Sequence, residues 1–105
     1  MKDPNSPCLF CNIKESGVAI ENTLAYVSYD TYPVSNLHCL IIPKRHVKDY
    51  FELTNDEVIA CNELIKKIKN EIFDQDDSVK GFNIGSNVGK TAGQSVMHCH
   101  IHLIP

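Results

Sequence analysis

Residues 95–105 have the sequence Ser-Val-Met-His-Cys-His-Ile-His-Leu-Ile-Pro, and this stretch does most to decide the expected fold and chemistry. Side chains alternate between the two faces of a β-strand, so a strand over 96–104 would place His98, His100 and His102 on one face. Cys99, Ile101 and Leu103 are apolar and would face the other way. A strand of this kind closes a core on one side and lines a cleft with titratable rings on the other.

Two kinds of chemistry use such a row of imidazoles. Neutral imidazole is a common zinc ligand, so the three rings are a candidate metal site. Alternatively, one ring is a nucleophile that its neighbours orient. The preceding residues, Gly93-Gln94-Ser95, supply backbone amides, a carboxamide and a hydroxyl, which suit an anionic oxygen better than a metal ion. The upstream loop therefore favours the nucleophile.

The remaining strands are predicted from short runs of strand-forming residues. Such runs occupy 24–29, 38–42 and 81–86, and each ends at turn-forming residues or a proline. Together with 96–104 they indicate an antiparallel sheet with hairpin-like pairs.

One helix is predicted between these strand pairs. It begins after Thr54, which forms a capping box with Glu57, and its apolar residues recur at helical spacing as far as Phe73. A single helix and a few strands in 105 residues indicate one α+β domain over 1–105.

The composition excludes several function classes. The chain has 10 Lys and Arg against 13 Asp and Glu, a net charge of −3, which argues against binding a nucleic acid polymer. A small nucleotide remains compatible, because a few backbone amides and polar groups can hold it. No apolar run approaches the ~18 residues of a membrane span, and residues 1–7 lack the apolar stretch of an export signal. We therefore expect a cytoplasmic protein without a membrane partner.

The cysteines point to a metal site. Five is an odd number, and two of them form the pair Cys8-x-x-Cys11, a common zinc half-site. No second pair follows at the spacing of a zinc finger, so any further ligands lie far along the chain. The alternative is a surface turn with two reduced thiols.

The sequence resembles the histidine triad (HIT) family of nucleotide hydrolases and transferases, whose motif His-φ-His-φ-His-φ-φ is matched by residues 98–104. The resemblance is closest to the small zinc-containing bacterial-type members. It also includes other positions, namely Gly93-Gln94-Ser95, Asn87, 41–46 and Cys8-x-x-Cys11. It implies a five-stranded antiparallel sheet with one long helix and short helical pieces, usually paired into a homodimer.

The resemblance also implies roles for individual residues. His100 resembles the nucleophile that attacks the α-phosphorus of a dinucleoside polyphosphate or nucleoside phosphoramidate, and the nucleotidyl-histidine then releases a nucleoside monophosphate. The other catalytic positions would be His98, His102 and Ser95. The substrate-binding positions would be Asp30, Asn87, Gln94, Ser95 and His102. One structural zinc per chain would be held by Cys8, Cys11, His46 and His98.

Several interpretations stay open at this point. Asp30 either contacts substrate or caps the turn before Tyr32. His38 matches the histidine of a Gly-His pair in the family, but Leu37 replaces the glycine. Family members commonly continue past position 105 with a tail that shapes the site or the dimer, so either that tail is dispensable here or this is a truncated form. Two other functions remain as alternatives: a catalytic-zinc enzyme with the triad as ligands, and a nucleotide-binding module without turnover.

Overall fold

Five antiparallel strands form one sheet in the computed structural model, which describes residues 8–105. The strands are β1 (Ile20–Glu21), β2 (Ala25–Tyr29), β3 (Cys39–Pro43), β4 (Asn83–Gly85) and β5 (Ile101–Ile104), and their order in the sheet is β1-β2-β3-β5-β4. The long helix α1 (Asn55–Gln75) connects β3 to β4. Short 3-10 helices lie at Glu15–Gly17, Tyr50–Glu52 and Lys90–Ala92. The predicted α+β fold is confirmed.

The two faces of the sheet bury different sets of residues. The α1 side is formed by alternate strand residues packed against the helix, including Val27, Ile41 and Leu103. The intervening residues Tyr26 and Ile42 form a second cluster on the opposite face. His102 is paired with a residue of that second face, so β5 presents aliphatic side chains to α1 and an imidazole to the other side, as predicted for this strand.

The start of α1 forms as the sequence predicts. Thr54 accepts a hydrogen bond from the Glu57 backbone amide, and the Glu57 carboxylate accepts one from the Thr54 backbone amide. Glu57 also binds Arg45, with 2.7 Å between Oε1 and Nη2. The hydrogen bond from Arg45 lowers the pKa of the Glu57 carboxyl below its ordinary value. The capping box therefore also ties the helix to the segment that leaves β3.

The predicted strand over 96–104 is wrong in its first half, because β5 begins only at Ile101. The register pairs Ile41 with Ile101, so continuing the ladder would bring Pro43 opposite Cys99. Proline has no backbone N–H for such a ladder, and the Cys99 amide donates instead to the Val47 carbonyl at 2.7 Å. His98 and His100 therefore precede the strand, and the expectation that three histidines alternate regularly on one face is corrected.

The sequence also predicts that the chain has no membrane span and no export signal. No helix within residues 8–105 has the length and apolar character needed to cross a membrane. Residues 1–7, in which no export signal was found, lie outside the described residues. The assignment of 1–105 to one domain and the cytoplasmic location stay predictions.

Candidate functional site

The surroundings of His100 determine which of its ring nitrogens carries a proton. Nδ1 lies 2.8 Å from the carbonyl oxygen of His98, which can only accept a hydrogen bond. Nδ1 is therefore protonated, and Nε2 is bare in the neutral ring. The Ser86 hydroxyl donates to the His100 carbonyl at 2.8 Å, which anchors the backbone at the same point. A fixed imidazole with a bare nitrogen is the form that acts as a nucleophile.

His102 lies beside His100, with 5.2 Å between the ring centroids, and belongs to a chain of hydrogen bonds. The Val34 backbone amide donates to His38 Nδ1 at 3.0 Å, so His38 carries its proton on Nε2. His38 Nε2 lies 2.9 Å from His102 Nδ1 and donates to it, which leaves the proton of His102 on Nε2. Burial lowers the pKa of the His102 imidazole, and the nearby rings act in the same direction. His102 is thus a neutral ring with an N–H available to a ligand.

Asp30 caps a turn and also lies near the histidines. One carboxylate oxygen accepts a hydrogen bond from the Tyr32 amide at 2.9 Å, as expected of a turn-capping aspartate. The other lies 3.5 Å from His38 Nε2. The side chain therefore caps the turn and faces the histidine chain at the same time, while its contact with substrate stays a prediction.

A second set of side chains gathers around His98. The ligand-type atoms of Cys8, Cys11, His46 and His98 all lie within 4.8 Å of one another. His98 Nδ1 is 3.3 Å from Cys8 Sγ and 3.2 Å from His46 Nδ1. His98 Nε2 donates to the Pro43 carbonyl at 2.7 Å, so its Nδ1 is bare and points into the cluster. Burial lowers the pKa of the His98 imidazole and so favours the neutral form that binds metals.

These four residues fit a zinc ion. With Zn–S of about 2.3 Å and Zn–N of about 2.0–2.1 Å, ligand atoms at the corners of a tetrahedron stand roughly 3.3–3.8 Å apart. Distances of 3.1–3.5 Å between the sulfur and nitrogen atoms lie close to that range. Two thiolates and two imidazoles complete a four-coordinate shell, which is typical of a structural site. The structure thus brings together all four predicted ligands in a cluster that is able to hold a metal.

Asp30, His38 and His102 form another group whose composition could hold a metal. Two imidazoles and a carboxylate are the ligands of many divalent-metal sites. However, His38 Nδ1 already accepts the Val34 N–H, so its Nε2 carries the proton that a metal would have to replace. The geometry therefore favours a hydrogen-bonded chain over a ligand set.

The loop before the histidines is held together by Gln94. Its Oε1 accepts from the Gly89 amide at 2.8 Å, and its Nε2 donates to the carbonyls of Lys48 and Val96 at 2.6 and 3.0 Å. Gln94 is buried, and its amide is engaged within the protein. The sequence predicts that the Gln94 side chain contacts substrate. Such a contact would require these hydrogen bonds to exchange.

The two other predicted substrate residues of this region also lie in the loop. Asn87 donates from Nδ2 to the Ala92 carbonyl at 2.6 Å, and Ser95 is exposed. Their roles as substrate contacts stay predictions.

Two contributors to the site were missed by sequence reasoning. The Pro43 carbonyl selects the His98 tautomer, but a backbone oxygen has no sequence signal of its own. Phe10 packs its ring edge-on against both His98 and His100, at centroid distances of 5.9 and 5.1 Å. Its position inside Cys8-x-x-Cys11 was the available signal, because a ring in a metal-binding loop lies beside whatever the loop binds.

Leu37 takes the backbone conformation of the glycine that it replaces. Its φ is +67°, in the left-handed region that costs an L-residue about 1–2 kcal/mol. The turn is closed by a 3.2 Å hydrogen bond from the His38 amide to the Ser35 carbonyl. The Leu37 side chain packs against the helix-side core. The turn that presents His38 is therefore retained at the cost of backbone strain.

The strain at Leu37 can be tested by comparing the stabilities of Leu37→Gly and Leu37→Ala, whose usual order should be reversed. Leu37→Gly and Leu37→Ala both remove the packed side chain, but only alanine keeps the penalty for positive φ. We expect the glycine variant to be more stable by about 1 kcal/mol in urea unfolding. At ordinary positions alanine is the more stable of the two, so an alanine variant equal to or above the glycine variant would contradict the strain.

The fold and the site combine a five-stranded antiparallel sheet and one long helix with a histidine-rich segment that leads into β5. The model of the HIT domain matches residues 12–105. The chain therefore belongs to the HIT family, as its motif indicated.

Individual relatives agree with this assignment. A HIT family protein from Bacillus anthracis has a solved structure that is 35% identical, covering 95% of this chain and 73% of that one with a TM-score of 0.86. An adenosine 5'-monophosphoramidase from Schizosaccharomyces pombe is 31% identical over 93% of this chain and 73% of its own. The diadenosine triphosphate hydrolase of Plasmodium falciparum, solved in complex with Cyclomarin A, is 30% identical with a TM-score of 0.82, covering 89% of this chain and 63% of that one. The family thus includes nucleotide hydrolases.

Proposed function

We propose that this protein is a nucleotide hydrolase or transferase that uses His100 to attack the α-phosphate of a dinucleoside polyphosphate or nucleoside phosphoramidate. The observation that carries the proposal is the 2.8 Å hydrogen bond from His100 Nδ1 to the His98 carbonyl. It leaves Nε2 bare, and His102 supplies an N–H donor beside it. Relatives named for a phosphoramidate and for a dinucleoside polyphosphate support both substrate types.

In the first step, the lone pair of His100 Nε2 forms a bond to the α-phosphorus. The bond from phosphorus to the leaving oxygen or nitrogen breaks with its electron pair, and an amine leaving group also takes up a proton from solvent. The imidazole now carries phosphorus on Nε2 and hydrogen on Nδ1, so it is positively charged. The His98 carbonyl stabilises that charge by accepting the Nδ1 proton in a hydrogen bond.

In the second step, water attacks the same phosphorus. The N–P bond breaks, its electron pair returns to Nε2, one proton leaves the water, and a nucleoside monophosphate is released. Because the ring is positively charged while it carries the phosphoryl group, it leaves as neutral imidazole, a good leaving group, which makes this step feasible near neutral pH. His102 Nε2–H donates to a phosphate oxygen in both steps. Ser95 and Asn87 at the adjacent loop, together with Asp30, contact the rest of the substrate. Gln94 contacts it when its internal hydrogen bonds exchange.

One structural zinc per chain is the proposed cofactor. Cys8, Cys11, His46 and His98 would hold it, and bound zinc would stabilise the N-terminal loop against the segment before β5. It takes no part in the chemical steps. It would also hold His98, whose backbone carbonyl orients His100.

We propose that the protein forms a homodimer through β4, which lies at one edge of the sheet. β4 is an outer strand, so one row of its backbone groups has no partner among residues 8–105. Ile84 on β4 and Ile59 on α1 are each 57% exposed and line one groove of about 620 Å3. A second copy related by a two-fold axis would pair β4 with its equivalent and cover the same apolar residues on both copies.

Charge placed on that edge is expected to separate the copies. Ile84→Lys introduces a charge that both copies would have to bury, so the variant should be monomeric where the wild type is dimeric. Tyr32→Lys is the matched control, since Tyr32 is 89% exposed and lies outside this groove. Light scattering after size exclusion measures the mass. A monomeric wild type, or a dimeric Ile84→Lys variant, would contradict this assembly.

Trapping the covalent intermediate tests the proposed function directly. Incubation with a nucleotide analogue whose second step is slow should add one nucleoside monophosphate to His100, as an acid-labile adduct located by mass spectrometry. The same analogue should leave His100→Ala unmodified. Binding of nucleotide without any adduct or turnover would instead indicate a binding module. Two zinc ions per chain, one of them lost when His102 is replaced, would indicate the catalytic-zinc alternative.

A further inference from the structure

Phe10 contacts both the candidate metal cluster, at His98, and the proposed nucleophile, His100. Its ring lies edge-on to His98, with 5.9 Å between centroids and an 88° interplanar angle, and to His100 at 5.1 Å and 67°. Phe10 is only 7% exposed. The same side chain therefore packs against a candidate metal ligand and against the proposed nucleophile.

The backbone of Phe10 is itself held in place. The buried Tyr26 hydroxyl donates to the Phe10 carbonyl at 2.7 Å. Phe10 also lies between Cys8 and Cys11, so the two candidate metal ligands bracket it in sequence. The position of its ring thus depends on how the Cys8–Cys11 loop is held.

His100 needs more than its hydrogen bond to be fixed. The bond from Nδ1 to the His98 carbonyl determines one end of the ring, but a single contact allows the ring plane to tilt about it. His102 lies 5.2 Å away and Phe10 5.1 Å away, between ring centroids. Edge-to-face ring pairs have a preferred geometry, so Phe10 supplies a second constraint that the hydrogen bond does not.

We infer that Phe10 is a positioning residue for His100, and that it couples metal binding at Cys8, Cys11, His46 and His98 to the orientation of the nucleophile. This inference rests on the proposed function for its kinetic consequence, but not for the orientation itself. When a metal holds the loop, the Phe10 ring keeps His100 Nδ1 on the His98 carbonyl and Nε2 free. Without the metal, the loop loses its anchors at Cys8 and Cys11 and keeps the Tyr26 hydrogen bond, so the Phe10 ring can shift and the ring of His100 samples its other tautomer.

The test compares Phe10→Leu with Ile42→Val. Leucine removes the ring but keeps an apolar side chain, and Ile42 belongs to the same buried cluster without being aromatic. Side-chain 15N spectra of the zinc-loaded proteins report the His100 tautomer independently of activity. We expect Phe10→Leu to keep its zinc, to shift His100 from a single Nδ1–H form to a mixture, and to lose about 3- to 10-fold in kcat with little change in KM. Ile42→Val should match the wild type in all of these.

Additional variants and removal of zinc distinguish a failure of the positioning role from a failure of the coupling. Phe10→Tyr keeps the ring and should restore the single tautomer, and Phe10→Met replaces Phe10→Leu if the leucine variant does not fold. Wild type freed of zinc by a chelator should show the same mixture as Phe10→Leu. An unchanged His100 spectrum in Phe10→Leu would overturn the positioning role, and an unchanged spectrum in the zinc-free protein would overturn the coupling. Loss of zinc from Phe10→Leu would also overturn the inference, because the Phe10 ring would then act on the metal cluster. If the wild type shows no turnover, the proposed function fails while the spectra still decide the inference.

Discussion

Replacing His100 by alanine is expected to lower kcat for nucleotide turnover by roughly 10,000-fold or more, the scale seen when an enzyme loses its nucleophile. His98 also has a fixed proton and a bare nitrogen, but that nitrogen faces the candidate metal cluster, whereas His100 Nε2 lies beside the His102 donor. KM should change little, because the residues proposed to hold the substrate remain. Steady-state kinetics with a diadenosine polyphosphate and with an adenosine phosphoramidate measure the effect for both substrate types.

His102→Ala provides the comparison. It removes a hydrogen-bond donor to the phosphate but leaves the attacking nitrogen, so a smaller loss of about 100- to 1,000-fold is expected. His102→Gln offers an amide N–H in place of the imidazole and should recover part of that loss. A His100→Ala variant that keeps the full rate, or one that loses less than His102→Ala, would rule out His100 as the nucleophile.

Much of the fold was accessible from the sequence because its signals are local. The capping box at Thr54 and Glu57 needs only residues three apart, and it forms as predicted. The error in β5 came from a non-local cause. Pro43 is distant in sequence from Cys99, and only the register between β3 and β5 shows that it would lie opposite that residue. Alternation of side chains describes a strand once pairing exists, but it does not say where pairing ends.

The candidate site also has features that the sequence predicts and features that only the fold determines. The composition of the candidate metal cluster could be taken from the family resemblance, and the structure brings those four residues together. The tautomers could not be predicted, because each is selected by a backbone group: the Pro43 carbonyl for His98, the His98 carbonyl for His100 and the Val34 amide for His38. Backbone donors and acceptors are present at every residue, so only the fold determines which of them meets a histidine ring.

Removal of the metal is expected to have the largest effect on stability. Cys8→Ser should abolish the tightly bound zinc, because a hydroxyl is a much poorer zinc ligand than a thiolate. At a free zinc concentration a thousandfold above the dissociation constant, bound metal contributes about 4 kcal/mol to the free energy of unfolding. For a domain of this size each kcal/mol corresponds to roughly 4–8 °C in Tm, so the variant should melt well below the zinc-loaded wild type. Calorimetry and elemental analysis on the same samples measure both quantities.

Cys61→Ala is the matched control, since Cys61 is also a cysteine but lies buried on α1, outside the cluster. It should keep one zinc per chain and lose about 1 kcal/mol from the small cavity that it creates. Adding a chelator should lower the Tm of the wild type and of Cys61→Ala but leave that of Cys8→Ser unchanged, because the last has no metal to lose. His100→Ala should also retain one zinc, because its ring lies outside the cluster. Equal zinc content in Cys8→Ser and wild type would show that the metal is held elsewhere, and a zinc-loaded wild type that melts no higher than Cys8→Ser would show that the metal does not stabilise the fold.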